Sequence, residues 1–278
     1  MIIYRDITEA NDIKDIYNIL FVFHPETIRG RTKFSCDNIM TFDTEWSTGM
    51  RDPATGRAIQ FDKKRFDEDY DKPETERAYQ HYMESCDPVT CNYLWQFCCE
   101  TFLPPPHIDE SDLLVFIGRR WDEFKDFMDK LTAEIKRQSV FGFKAINRTS
   151  ETKTALKDKH NVECFIFDHN LGAEMVGLCN IYNKEIAKGK RVFAREACNP
   201  MYIRLPLNKV SVNFKDTFVL TQLSLMKWTK NEKLQVQKLE EPEDFYDDII
   251  TPDTEIDSER LQHRVASDAT QEGASPLR

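Results

Sequence analysis

No apolar run in this chain approaches the ~20 residues that a bilayer-spanning helix needs. The amino terminus, MIIYRDITEANDIKDIYN, is charged from Arg5 onward and has no signal-peptide core. Both absences predict a non-secreted protein with no membrane partner, placed in a cytoplasm (a host cell's, if the chain is viral). Basic charge is also short: 38 Lys and Arg stand against 48 Asp and Glu, a formal net charge of -10. Non-specific nucleic-acid affinity comes mostly from Lys and Arg neutralising phosphates. An acidic chain that binds such a polymer must therefore use stacking, hydrogen bonds and bound divalent cations. Paired C-x2-C spacings and internal repeats are missing too. The eight cysteines lie at 36, 86, 91, 98, 99, 164, 179 and 198, and adjacent Cys98 and Cys99 face opposite ways on a strand. This favours structural thiols over a zinc site or a disulfide framework.

What is present is a hydrophobic fraction of 40% with 12% aromatics, enough for the core of one large domain or of one domain with insertions. Acidic residues crowd into RFDEDYDKPETE and LEEPEDFYDDIITPDTEIDSE, whereas FKAINRTSETKTALKDKH and NKEIAKGKRVFAR are basic or mixed.

Residues 1–37 mix short apolar pieces with charge and receive no role. NIMTFDTE, 38–45, reads as a buried strand ending in carboxylates, followed by a charged insertion at 46–89. TCNYLWQFCCETF and DLLVFIG are further strands. WDEFKDFMDKLTAEIK is an amphipathic helix, with Trp121, Phe124, Phe127, Met128, Leu131 and Ile135 at three- and four-residue steps. VECFIF is a core strand, AEMVGLCNIYNKEI a helix, RVFAREA, MYIRLPL and KVSVNFKDTF extended pieces, and LTQLSLMKWTK a helix. Residues 271–278 form a tail. Strands and helices alternate first and strands cluster later, which is an α/β domain with a mixed sheet flanked by helices.

Asp43 and Glu45 stand two residues apart, so on a strand they share a face and can address one ion. Oxygen-only ligands suit Mg²⁺ or Mn²⁺, and two such ions can support phosphodiester hydrolysis. By itself the triplet more often marks an exposed acidic strand end. A second acidic stretch, Phe167-Asp168-His169-Asn170-Leu171-Gly172-Ala173-Glu174, turns from a strand into a helix. There Glu174 also fits simple helix capping, and Asp168 ends the strand. Tyr246-Asp247-Asp248 lies in an acidic, turn-like stretch and lacks the hydrophobic strands of a palm hairpin.

Taken in order, DTE, WQF, IGRRWDEFKDFMDKL, FIFDHNLGAEMVGL, VFAREACNPMYIRL and VNFKDTFVLTQLSLMKW resemble the 3′–5′ exonuclease domain of protein-primed family B DNA polymerases of phages, over about residues 38–270. The resemblance implies a ribonuclease-H-like fold. It implies a metal set of Asp43, Glu45, Glu174 and Asp268 holding two Mg²⁺ or Mn²⁺ ions. It also implies single-stranded DNA contacts by His169, Asn170, Leu171, Ser224 and Leu225, with Phe42 or Trp228 available to stack on bases. In that family the last acidic residue follows a tyrosine by four positions, and here Arg264 stands in the tyrosine's place, four before Asp268. Asp268 fits a fourth ligand and a solvated residue equally. Nothing resembles the polymerase motifs S-L-Y-P or Y-x-D-T-D, so the chain reads either as a fragment or split gene product, partnered by a separately encoded polymerase domain, or as a nuclease domain that acts alone. The expected activity is hydrolysis of single-stranded DNA from its 3′ end. The alternative is a catalytically weak single-strand-binding or scaffold module with the same fold.

Overall fold

The apolar stripe on WDEFKDFMDKL settles how the layers meet. In the computed structural model, Phe124, Phe127, Met128, Leu131 and Ile135 are all fully buried, and the helix lies across one face of a sheet. The structure describes residues 2–6, 12–28, 31–51, 58–60, 87–103, 111–146, 162–187, 192–196, 199–224, 227–228, 231 and 251–253. The strands are β1 (Ile2–Asp6), β2 (Phe23–Ile28), β3 (Arg31–Cys36), β4 (Met40–Arg51), β5 (Ala58–Gln60), β6 (Asp87–Phe102), β7 (Ser111–Gly118), β8 (Val162–Asp168), β9 (Val192–Glu196), β10 (Asn199–Leu207) and β11 (Val210–Asp216). The helices are α1 (Trp121–Ile146), α2 (Leu171–Ile181), α3 (Asn183–Ile186) and α4 (Phe218–Thr221), with a 3₁₀ turn over Asp12–Asn18.

All these strands join one mixed sheet, in the order β1-β7-β6-β4-β8-β11-β10-β9. Strands β4, β6 and β7 form an antiparallel meander, while β8 runs parallel to β4 and β11 parallel to β8. The fold is therefore α/β with helices on a mixed, open sheet, as the sequence pattern predicts. The amino-terminal residues, which carry no role in the sequence reading, supply three strands of this sheet. Strand β1 pairs parallel with β7, and the β2–β3 hairpin joins through β8.

Strands β3 and β4 lie end to end along β8, and the ladder is interrupted at 37–39. Asn38 fills the gap. Its Nδ2 donates to the carbonyls of Leu20 (2.9 Å) and Glu100 (2.7 Å), and its Oδ1 accepts the Val22 amide (2.9 Å). Backbone groups left unmade at such a break cost about 1–3 kcal/mol each when buried, so this one side chain keeps the break affordable.

Strand β4 does not stop at its carboxylates. It continues to Arg51 along the long β6, which corrects the strand end expected at Glu45. The continuation passes through a register shift between Glu45 and Trp46, where Glu45 faces Leu94 and Trp46 faces Asn92. Tyr93 is the extra residue of this β-bulge, a device common beside functional sites. The helix expected over AEMVGLCNIYNKEI divides at Tyr182, which leaves helical dihedrals (φ -116°) while its ring is buried. The single helix expected over LTQLSLMKWTK is likewise interrupted. Gln222 takes a left-handed conformation (φ 53°) and ends α4 there.

The aromatic core joins the layers. Phe42 of β4 stacks on Phe124 of α1 at 4.5 Å, and Trp95 and Phe97 of β6 meet Phe127 at 5.4 and 5.0 Å. Cys36, Cys98, Cys99 and Cys164 are buried, and all the described cysteines are free thiols. Burial pushes the Cys36 thiol up to about 12 and those of Cys99 and Cys164 well above their usual range, so these groups pack as neutral apolar atoms. Among the described residues no helix is long and apolar enough to cross a membrane.

Helices α1 and α2 meet where α2 carries Gly177. A Cβ built there would lie 1.9 Å from the Trp121 ring. The indole is wedged in the aromatic core, so it has little room to yield. Gly177→Ala is expected to destabilise by about 1–3 kcal/mol despite alanine's better helix propensity. Urea unfolding of the two proteins checks this, and equal midpoints would refute the close contact.

Candidate functional site

Strands β8 and β11 end on Asp168 and Asp216, and β4, which pairs with β8 at Thr41–Phe167, carries its acids just beyond that pairing, on the side where open α/β sheets bind ligands. On β4 the alternation of side chains sends Phe42 and Thr44 to the α1/α2 face and Asp43 and Glu45 to the other. Asp43 Oδ2 accepts a hydrogen bond from Gln96 Nε2 of β6 at 2.9 Å. Glu45 is buried beside the bulge, whose carbonyls are bound by side chains. Asn92 Nδ2 donates to the carbonyls of Glu45 (3.1 Å) and Leu94 (3.0 Å), and Arg119 Nε donates to that of Tyr93 (2.6 Å). Arg119 also donates from Nη2 to the Thr251 carbonyl (2.9 Å), and Arg120 pairs with Asp253. The Thr251-Pro252-Asp253 turn is thus docked beside the bulge.

Glu174 comes from the first turn of α2, and it does more than cap the helix. It is buried, and its Oε1 accepts from Thr44 Oγ1 at 2.5 Å, while Thr44 in turn accepts from Trp46 Nε1 at 2.6 Å. Its other oxygen, Oε2, has no hydrogen-bond partner. Burial, and after it the negative charge of Asp43, push the Glu174 carboxyl up to about 8. The Thr44 hydrogen bond opposes this, and Asp216 adds to it. Glu174 is therefore held by the residue between the two β4 carboxylates, and it feels Asp43 across the strand.

Acidic oxygens alone, a buried carboxyl atom without a hydrogen-bond partner and mutual repulsion between carboxylates fit a hard divalent cation in chemistry. Among the described residues, however, no group of three or more His, Cys, Asp and Glu side chains is close enough to hold a metal ion. Asp268 lies outside the described residues, as does Arg264.

The turn after β8 gathers part of the expected strand-binding set. His169 Nδ1 lies 3.1 Å from Thr217 Oγ1, and its ring meets Phe218 edge-on (5.7 Å) and lies parallel to Trp228 (6.2 Å, 16°). Asn170 is exposed and left-handed, with φ 82° and ψ 51°. Ser224 is exposed as well, and its carbonyl accepts the Trp228 amide at 2.9 Å. Leu225 lies outside the described residues. Burial bears on two of these expectations. Leu171 is fully buried and anchors the turn in the core, so it has no surface for a nucleotide. Phe42 at 0% exposed and Trp228 at 7% are likewise closed to base stacking, while Phe218 beside His169 is 39% exposed.

Sequence reasoning missed Thr44, Gln96, Phe218 and Asp216. The first two matter through cross-strand register, which has no local signal. Asp216 had one. VECFIFD and VSVNFKD are both apolar strands ending on aspartate, and the structure sets Asp168 and Asp216 side by side.

No protein-family model, curated protein or solved structure matches this chain.

Proposed function

We propose that this chain is a ribonuclease-H-like 3′–5′ exonuclease domain of the kind found in protein-primed family B polymerases, acting on single-stranded DNA ends. The strand order supports this reading. A three-strand meander, β7-β6-β4, is followed by two parallel strands, β8 and β11, and the D-x-E triplet sits on the central β4. The observation that carries it is the Glu174 carboxyl, on the helix after β8, hydrogen-bonded to Thr44 between the two acids of the triplet. Acids brought from distant segments to one strand are what a cation-assisted hydrolysis needs.

Asp43, Glu45 and Glu174, with Asp268 as the fourth ligand, would hold two Mg²⁺ or Mn²⁺ ions. When bound, these ions supply an activated water and neutralise the charge on the leaving oxygen. The chain's own residues do the rest. Thr44 orients the Glu174 carboxyl, and Gln96 fixes that of Asp43. His169, Asn170 and Ser224 line the edge where a strand end enters, and the exposed ring of Phe218 provides a stacking surface of about 1–3 kcal/mol per base.

The test is trimming of a 5′-labelled single-stranded oligonucleotide with Mg²⁺, Mn²⁺ or EDTA. A metal-dependent 3′ ladder is expected, with Asp43→Ala at least a hundredfold slower, about 2.7 kcal/mol in the barrier. An unchanged ladder in Asp43→Ala sinks the assignment. Single-strand binding without turnover would favour the weak or inactive module. Arg264 at the tyrosine position leans that way.

A further inference from the structure

Strands β8 and β11 end side by side, and each runs directly into a segment that bears on the strand-binding edge. Asp168 is in register with Asp216. Beyond that point the sheet ladder stops and a clasp replaces it. The Thr217 amide and the Thr217 hydroxyl both donate to the Asp168 carbonyl, at 2.7 and 2.8 Å. The same hydroxyl oxygen lies 3.1 Å from His169 Nδ1, which ties the His169 ring to this clasp. Finally, Asp216 Oδ1 accepts two amides from separate stretches of chain, Asn170 N at 3.1 Å and Phe218 N at 2.8 Å.

The Asn170 amide belongs to a non-glycine residue in the left-handed region, which asparagine adopts more readily than most residues and which the hydrogen bond to Asp216 helps to hold. The Phe218 amide opens a short helix whose first residue is an exposed aromatic. A single buried carboxylate oxygen therefore sets the conformation of Asn170, the start of the Phe218 segment and the spacing between them.

We infer that Asp216 is a positioning residue that locks the Asn170 turn and the Phe218 segment into one strand-binding edge. It touches no nucleotide itself, and its oxygen acts through the two amides it holds. The functional consequence rests on the exonuclease reading, whereas the geometric claim does not. Asparagine at this position keeps an acceptor oxygen for both amides, and alanine does not.

The experiment compares Asp216→Ala and Asp216→Asn with the parent chain, by steady-state trimming of a single-stranded oligothymidine and by amide hydrogen exchange at Asn170 and Phe218. For Asp216→Ala, KM should rise at least tenfold with kcat within threefold, and both amides should exchange much faster. For Asp216→Asn, KM and the protection of both amides should return to within threefold of the parent. If alanine costs the fold, Asp216→Ser takes its place, because its short side chain cannot reach both amides. Unchanged KM and unchanged exchange in the alanine or serine variant overturn the inference. So does an asparagine variant whose KM rises as far as alanine's, since the charge would then be the active feature. If the parent chain trims nothing, the exonuclease reading fails, and the exchange comparison alone still decides the role of Asp216.

Discussion

Glu174→Gln should make the protein more stable above about pH 8 and leave it unchanged near pH 4. The sign follows from the carboxyl being raised in the folded state, to about 8 from an ordinary value of 4.5. Below pH 4.5 the group is protonated whether the chain is folded or not, so it contributes no pH dependence. Between these values the unfolded chain releases the proton and the folded chain keeps it, so stability falls as pH rises and levels off above the folded value. Each tenfold in proton affinity is about 1.4 kcal/mol. Sharing the repulsion with Asp43 reduces the total to roughly 2–4 kcal/mol. Glutamine carries no charge and its Oε1 can still accept from Thr44, so the variant should lack this slope. Thermal melts across pH 4–9 measure it, with a gap on the order of 5 °C or more between variant and parent at pH 8.5. Parallel profiles would mean that Glu174 ionises normally and is not crowded by Asp43.

The same melts carry a cation arm. A divalent ion that binds only the folded state adds stability by mass action. Mn²⁺ should therefore raise the melting temperature of the parent at pH 8, where it replaces the proton on Glu174, and should do so far less in Glu174→Gln. This reads the cation without requiring turnover.

Phe42→Ala is expected to be the most damaging single change in the core, costing about 3–5 kcal/mol. The ring has no exposed surface and touches three others, Phe124 at 4.5 Å, Phe214 at 5.9 Å and Trp121 at 6.2 Å. It thus ties β4 to α1 and to β11 at once, directly beside Asp43. Phe42→Leu keeps much of the apolar volume and should cost less than half as much. Guanidinium unfolding of both variants checks the pair. A loss under 1 kcal/mol for alanine would mean that the layers can close over the gap, and would remove Phe42 as the anchor of the site strand.

What was legible in the sequence followed from periodicity. The stripe from Phe124 to Ile135 gave a helix and its buried face, and VECFIF and DLLVFIG gave strands because apolar runs of that length have few other uses. The amino-terminal strands were not legible, because FHPETI and RTKFSC are too polar to signal burial. They are strands through the partners they meet, β3 on β8 and β1 on β7. The site divides in the same way. Asp43 and Glu45 stood out through their spacing on an apolar run, and Glu174 only through the family resemblance, since by itself it fitted simple capping. That Glu174 is seated on Thr44, that Asp43 is held by Gln96 and that Leu171 faces the core are facts of register and helix orientation. They do not exist until strands β4, β6 and β8 are side by side.

That dependence on assembly bears on how the chain reaches its folded state. Ile2 pairs with Leu113, Thr41 with Phe167, and Val162 with Val210. Contacts so distant along the chain are slow to form, because loop-closure entropy is spent before any pairing compensates for it. During synthesis the antiparallel meander β4-β6-β7 can assemble before β8 has been made. The acid-bearing edge must wait until β8 and then β11 have left the ribosome. For that interval the flank of β4 that will receive β8 is an open strand edge, available to a chaperone or to a second nascent chain.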